Sequence, residues 1–191
     1  MYLWRQFTES GDGEHPVALL TFRPMSYVLA KQRDADVVAA FAEYRAYLHA
    51  NKTFFPPSAY DLASSHWYFD STDHRCPHDS WLESATIHEP GSGSRREIRS
   101  VALTVRLLGA YHDGYIEFRY PDVHSYELSM FDLPRGHGDW RFDEFRLGDN
   151  GRVIHEIEWA TGGDTGRWLI EASDVLYKWL PGTESNPQQR P

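Results

Sequence analysis

The stretch from Trp140 to Trp159 concentrates the residues whose types and spacing could do chemistry: Asp143, Glu144, Arg146, His155, Glu156 and Glu158. A carboxylate beside an imidazole orients the ring and stabilises its charge. Asp143 with His155 therefore suits a general base, a metal ligand, or a buried pair that holds two chain segments in register. Glu144, Glu156 and Glu158, with Arg146, suit a solvated polar face or an electronegative surface that meets a basic partner. His155-Glu156-x-Glu158 is not a zinc-protease motif, because it sits on a strand pattern and lacks the second histidine. Glu156 and Glu158 stand side by side, about 6.5–7 Å apart on one strand face. Glycosidases need two carboxylates across a cleft with unequal proton affinities, and this pair does not supply that asymmetry.

A second cluster is His74-Arg75-Cys76-Pro77-His78-Asp79. In extended chain, His74, Cys76 and His78 point the same way at about 6.6–7 Å spacing, so a thiolate and two imidazoles could meet a zinc ion. The spacing matches no established zinc signature, and Pro77 bends the path. The segment is read as a polar connection in which Asp79 ties down the next strand. His74, Cys76 and His78 are the metal candidates, no site is assigned to a metal, and no cofactor is expected. An alternative polar cluster would join His78 and Asp79 to Asp143 and His155. The chain has no glycine-rich phosphate loop, no GxSxG elbow and no HExxH, and no residue is given a catalytic role.

The elements that must position these groups start with a hairpin. Asp149-Asn150-Gly151 between alternating residues is a strong turn signal. A two-residue Asn150-Gly151 turn would pair Phe145 with Glu156. A three-residue loop with Gly151 left-handed pairs Phe145 with His155 and Leu147 with Val153. A one-residue change moves every side chain to the other face. The three-residue loop gathers Phe145, Leu147, Val153, Ile157 and Trp159 on one face, worth roughly 1.5–3 kcal/mol per buried side chain. It sets Glu144 opposite Glu156, which costs several tenths of a kcal/mol. Burial decides, so the three-residue loop is expected. Asp143 and His155 then fall on the apolar face, diagonal to one another, and Glu144, Arg146, Glu156 and Glu158 on the other. A buried imidazole needs a partner, so His155 is expected to be buried and hydrogen-bonded.

Elsewhere, residues 2–7 and 17–24 read as short strands. Asp34 is a candidate N-cap for an amphipathic helix over 35–50, with Val37, Phe41, Tyr44 and Leu48 on one face. A second short helix starts at Ser58, with Asp61 at the capping-box position. Strands are expected at 81–89, 101–108, 115–120 and 123–130, with 91–97 as a loop tip and 133–139 as a longer loop. The run 167–179 is too long for one flat strand and should bend near Ser173. Most tryptophans among Trp67, Trp81, Trp140, Trp159, Trp168 and Trp179 are expected in the core rather than as sugar-stacking platforms.

The fold class that follows is α+β. It is an antiparallel meander, open or curled to a half-barrel, with the amphipathic helix packed on it. Residues 1–72 form the helical part, 73–182 the β part, and 183–191 a disordered tail. A chain of 191 residues can bury a large core without staples. The net charge of −9 argues against nucleic acid and for a basic protein as partner. Cys76 is the single cysteine, which excludes an intramolecular disulfide and suits a reducing compartment. No signal-peptide pattern and no membrane-length apolar run is seen, so a cytoplasmic protein is expected. Nothing in the pattern sets an oligomeric state.

HDSWLE (78–83), LLGAYHDGYIEFRY (107–120), FDEFRL (142–147) and HEIEW (155–159) together resemble a family of small uncharacterised bacterial β-rich proteins. In these a His-Asp pair opens the β domain and a late hairpin carries the DE and HEI motifs. Distant members are similar to immunity proteins of bacterial toxin systems. The resemblance covers roughly residues 76–180 and carries over no catalytic residue. It implies a non-enzymatic binding protein of the toxin-neutralising kind. The alternatives are a small-ligand or carbohydrate-binding domain with an aromatic pocket, and an enzyme using Asp143 and His155.

Overall fold

A computed structural model describes residues 26–29, 31–130, 136–161 and 164–182. The expected strands at 2–7 and 17–24 and the tail at 183–191 lie outside them. The described chain is mostly antiparallel β-sheet with short helices: α1 (Lys31–Ala35), α2 (Val37–Ala50) and α3 (Pro57–Ala63). The strands are β1 (Trp81–His88), β2 (Gly91–Ser92), β3 (Ile98–Arg99), β4 (Ala102–Leu108), β5 (Gly114–Tyr120), β6 (Ser125–Leu128), β7 (Asp139–Leu147), β8 (Val153–Thr161), β9 (Asp164–Ala172) and β10 (Leu176–Pro181).

The sheet is not a simple meander. β2 and β3 form a small ribbon, and the other eight strands run in the order β10-β5-β4-β1-β7-β8-β9-β6. Two meanders, β1-β4-β5 and β7-β8-β9, meet side by side. The strand after each meander pairs with the other one: β6 with β9, and β10 with β5. Each end strand therefore continues a bent strand. Residues 114–128 bend at Pro121–His124, and residues 164–181 bend at Ser173–Val175, as the excess length of the 167–179 run implies. Ser173 N–H donates to the Pro121 carbonyl at the bend. As neighbours, the strands thus trace a circuit β1–β4–β5/β6–β9/β10–β8–β7–β1.

The last link of that circuit is short. β1 and β7 pair only at Trp81–Asp139, beside hydrogen bonds between Trp140 and the backbones of Asp79 and Ser80. Beyond that point the two strands part. On the β7 side, tyrosines of α2 take over the backbone bonding. Phe145 N–H donates to Tyr44 Oη at 2.6 Å, Tyr44 Oη donates to the Phe145 carbonyl at 3.2 Å, and Leu147 N–H donates to Tyr47 Oη at 2.8 Å. Spacing of three on a helix puts both hydroxyls on one side.

Alternation sets the core. Leu103, Val105 and Leu107 of β4, Ile116, Phe118 and Tyr120 of β5, and Val153, Ile157 and Trp159 of β8 are all fully buried on one face. Gly114 is required where β10 crosses, since a Cβ there would lie 2.4 Å from the Trp179 ring. Trp140, Trp159 and Trp168 are core residues as expected, but Trp81 is 50% exposed.

The helices differ from expectation in detail. α2 is capped by Asp36, whose carboxylate accepts from Ala39 N–H at 3.0 Å, and not by Asp34, which lies in α1. Val37 is exposed, and the buried stripe is Ala40, Tyr44 and Leu48. α3 has no side-chain cap of its own. Its Ala59 N–H is accepted by Asp174, 115 residues on, so a tertiary contact replaces the capping box.

Candidate functional site

β7 and β8 form the hairpin around which the candidate groups gather. Their register is Leu147–Val153, Phe145–His155 and Glu144–Glu156, closed by Asp149–Gly151 with Gly151 at φ 74°. That is the three-residue loop. A bulge between Trp140 and Phe142 adds a residue and brings Trp140 onto the face of Asp143.

On the inner face, Asp143 is 2% exposed and fully engaged. Its Oδ2 accepts from Tyr68 Oη at 2.7 Å and lies 2.9 Å from His155 Nε2, and its Oδ1 accepts from Trp140 Nε1 at 2.9 Å. The other ring nitrogen, His155 Nδ1, lies 2.8 Å from Tyr120 Oη. Burial, with the Asp143 charge, pushes the Tyr68 and Tyr120 hydroxyls well above the usual tyrosine range. Both therefore stay O–H donors. The imidazole is therefore held from both sides, by Tyr120 Oη at Nδ1 and by the Asp143 carboxylate at Nε2. All these polar atoms are satisfied inside the fold, with Phe145 stacked on the imidazole at 4.0 Å.

The network exposes little for a substrate. A crevice of about 10 Å³ reaches Asp143, lined among others by Tyr68, Cys76, His78, Arg141 and Phe142. That is room for about one water molecule. His78 thus shares a crevice with Asp143, but Asp79 points outward at φ 62° and is not part of it. The alternative cluster of four is therefore only partly assembled. His78 Nδ1 lies 3.1 Å from Asp79 Oδ1, at an angle too poor for a hydrogen bond.

The metal candidates are dispersed. Cys76 is buried, its Sγ donates to the Tyr68 carbonyl, and burial pushes its thiol up to about 12. His74 turns outward, stacks on Tyr111 and lies 2.5 Å from Asp113. Among the described residues no group of three or more histidine, cysteine or acidic side chains could hold a metal ion.

The outer face corrects an expectation. Glu144, Arg146, Glu156 and Glu158 are 0%, 3%, 4% and 3% exposed, so this is not a solvated face. Ser26, Tyr27, Val28 and Arg33 reach onto it. Glu144 Oε2 accepts from the backbone N–H of Tyr27 at 2.7 Å and of Val28 at 2.9 Å. Arg146 bridges Glu144 and Glu156, the like-charged pair that faces across the strands. Arg33 reaches Glu158 at 3.0 Å, and Arg167 reaches Glu156 at 2.7 Å. Three carboxylates thus meet three guanidinium groups. Burial nevertheless raises the Glu144 carboxyl above its ordinary value, against the pull of Arg146.

Reading the sequence missed Tyr68, Tyr120, Arg33 and the bulge. Tyr120 was within reach, because Ile116, Phe118 and Tyr120 alternate on the core face of β5. Tyr68 and Arg33 come from segments 75 and 125 residues from their partners, and no local pattern signals that.

No family model matches this chain, and no curated protein or solved structure does.

Proposed function

We propose that this chain is a non-enzymatic cytoplasmic binding protein, of the toxin-neutralising immunity type that its β motifs resemble. One observation carries the reading: the acid–imidazole pair spends every donor and acceptor on Tyr68, Trp140 and Tyr120. A general base needs its proton acceptor within reach of a substrate, and this one is committed to the fold. The helical segment then serves as the cover of an α+β fold, with α2 laid on the sheet. Glu144, Glu156 and Glu158 are neutralised in place, so recognition of a basic partner falls to exposed acids such as Glu43, Asp61, Glu127 and Asp139. The net charge of −9 favours that encounter. The test is capture of a partner from the host, followed by calorimetric titration of the purified pair at low and high salt. A stoichiometric complex that weakens with salt supports the reading. A complex unaffected by reversing these exposed acids, or turnover of a substrate that depends on Asp143, contradicts it.

An open groove of about 350 Å³ beside Trp67 and Tyr177 favours small-ligand binding as a second reading. The two rings lie 5.1 Å apart. Quenching of tryptophan fluorescence by a ligand, abolished in Trp67→Phe, would favour it.

A further inference from the structure

Where β1 and β7 part, their edges are treated differently. The β7 edge is bonded by Tyr44 and Tyr47. The β1 edge beyond Trp81 has no partner strand among the described residues. β1 is also undercovered. Leu82, Ala85 and Ile87 lie opposite Leu107, Val105 and Leu103, so they share the core face of the sheet. Those three β4 residues are fully buried, yet Ala85 is exposed and Ile87 is 45% exposed. Natural edge strands are usually protected by charge, proline or a bulge. From Ser84 to Ile87 there is neither charge nor proline, and the β1 bulge falls earlier, between Leu82 and Ser84.

We propose that this edge pairs antiparallel with β1 of a second copy of the chain, about a two-fold axis at Thr86. The strand is self-complementary in that register. Thr86 faces Thr86 of the second copy, a favourable cross-strand pair. Ala85 faces Ile87, small against large, and both stay on the core side of each copy. Ser84 faces His88. An axis at Ala85 would set Glu83 against Ile87, and one at Ile87 would set Glu89 against Ala85. A one-residue shift would send the apolar positions to opposite faces. At the ends of the Thr86 register Glu83 meets Glu89, but Glu83 is already held by Arg106. The contact is isologous and closes at two copies. It goes beyond the binding role proposed above and does not depend on it.

The experiment is sedimentation of the full chain at tens of micromolar, with circular dichroism as a check on folding. A wild-type dimer that becomes a monomer in Ile87→Lys, with an unchanged spectrum, is expected. Cysteine cross-linking guards against a misfolded variant. The buried Cys76 thiol, pushed up to about 12, does not compete for oxidation. Thr86→Cys should form a disulfide-linked dimer under mild oxidation, and Ala85→Cys should not. A wild-type monomer, a dimer that survives Ile87→Lys, or equal cross-linking at 85 and 86 would overturn the proposal.

Discussion

The two faces of the β7–β8 hairpin are both buried, and they solve the problem of buried charge in opposite ways. The inner face holds one carboxylate, Asp143, and surrounds it with the Tyr68 hydroxyl, the Trp140 indole N–H and the His155 ring, with no guanidinium group. The outer face holds three carboxylates and meets them with Arg33, Arg146 and Arg167. A lone buried charge survives where hydrogen bonds replace its hydration, and several like charges need counter-ions. The inner solution is fixed by strand register and side-chain alternation. The outer one depends on Tyr27, Val28 and Arg33, which lie 116 to 125 residues from their partners in the hairpin.

The comparison can be broken first on the outer face. Arg146→Ala would leave Glu144 and Glu156 facing each other across the strands without their shared counter-ion. Removing one partner of a buried ion pair typically costs about 3–5 kcal/mol, and urea denaturation should show a loss in that range. A loss under about 1 kcal/mol, the value of an exposed pair, would mean that Tyr27, Val28 and Arg33 do not seal this face.

Asp143→Asn probes the inner face with a smaller expected loss of about 2–3 kcal/mol. It removes a charged acceptor and leaves donors competing for one carbonyl. Near-UV circular dichroism should change with it, because Trp140 loses its partner.

The smallest effect is one of pH. The Glu144 carboxyl is raised above its ordinary 4.5 by burial. A raised folded-state pKa contributes stability that is present below the unfolded value and lost as pH rises through the folded value. Wild type should therefore lose ground to Glu144→Gln as pH rises from about 4 towards neutrality. A difference that moves the other way would show that Arg146 and the backbone donors outweigh burial at this carboxyl.

How much of this was legible in the sequence follows the same division. The Asp149–Gly151 turn and the apolar set Phe145, Leu147, Val153, Ile157 and Trp159 identify the register, and with it the Asp143–His155 contact. The bend near Ser173 was legible from strand length. The outer face was not, because alternation of charged and apolar residues says only that two faces differ. It does not say which face is later covered. The same limit applies to α2: its periodicity locates a helix but not the role of Tyr44 and Tyr47 as surrogate strand partners for β7. The swapped positions of β6 and β10 are set by the bends at Pro121 and Ser173, whose directions no local pattern specifies.

The central claim is that His155 belongs to the fold and not to a reaction. His155→Ala in equilibrium urea denaturation tests it most directly. Losing the imidazole removes its stacking on Phe145 and leaves Tyr120 Oη without its partner. The predicted result is a loss of roughly 2 kcal/mol or more from packing and an orphaned hydroxyl. A variant that unfolds at the wild-type urea concentration would contradict the structural assignment and return His155 to the candidates for function.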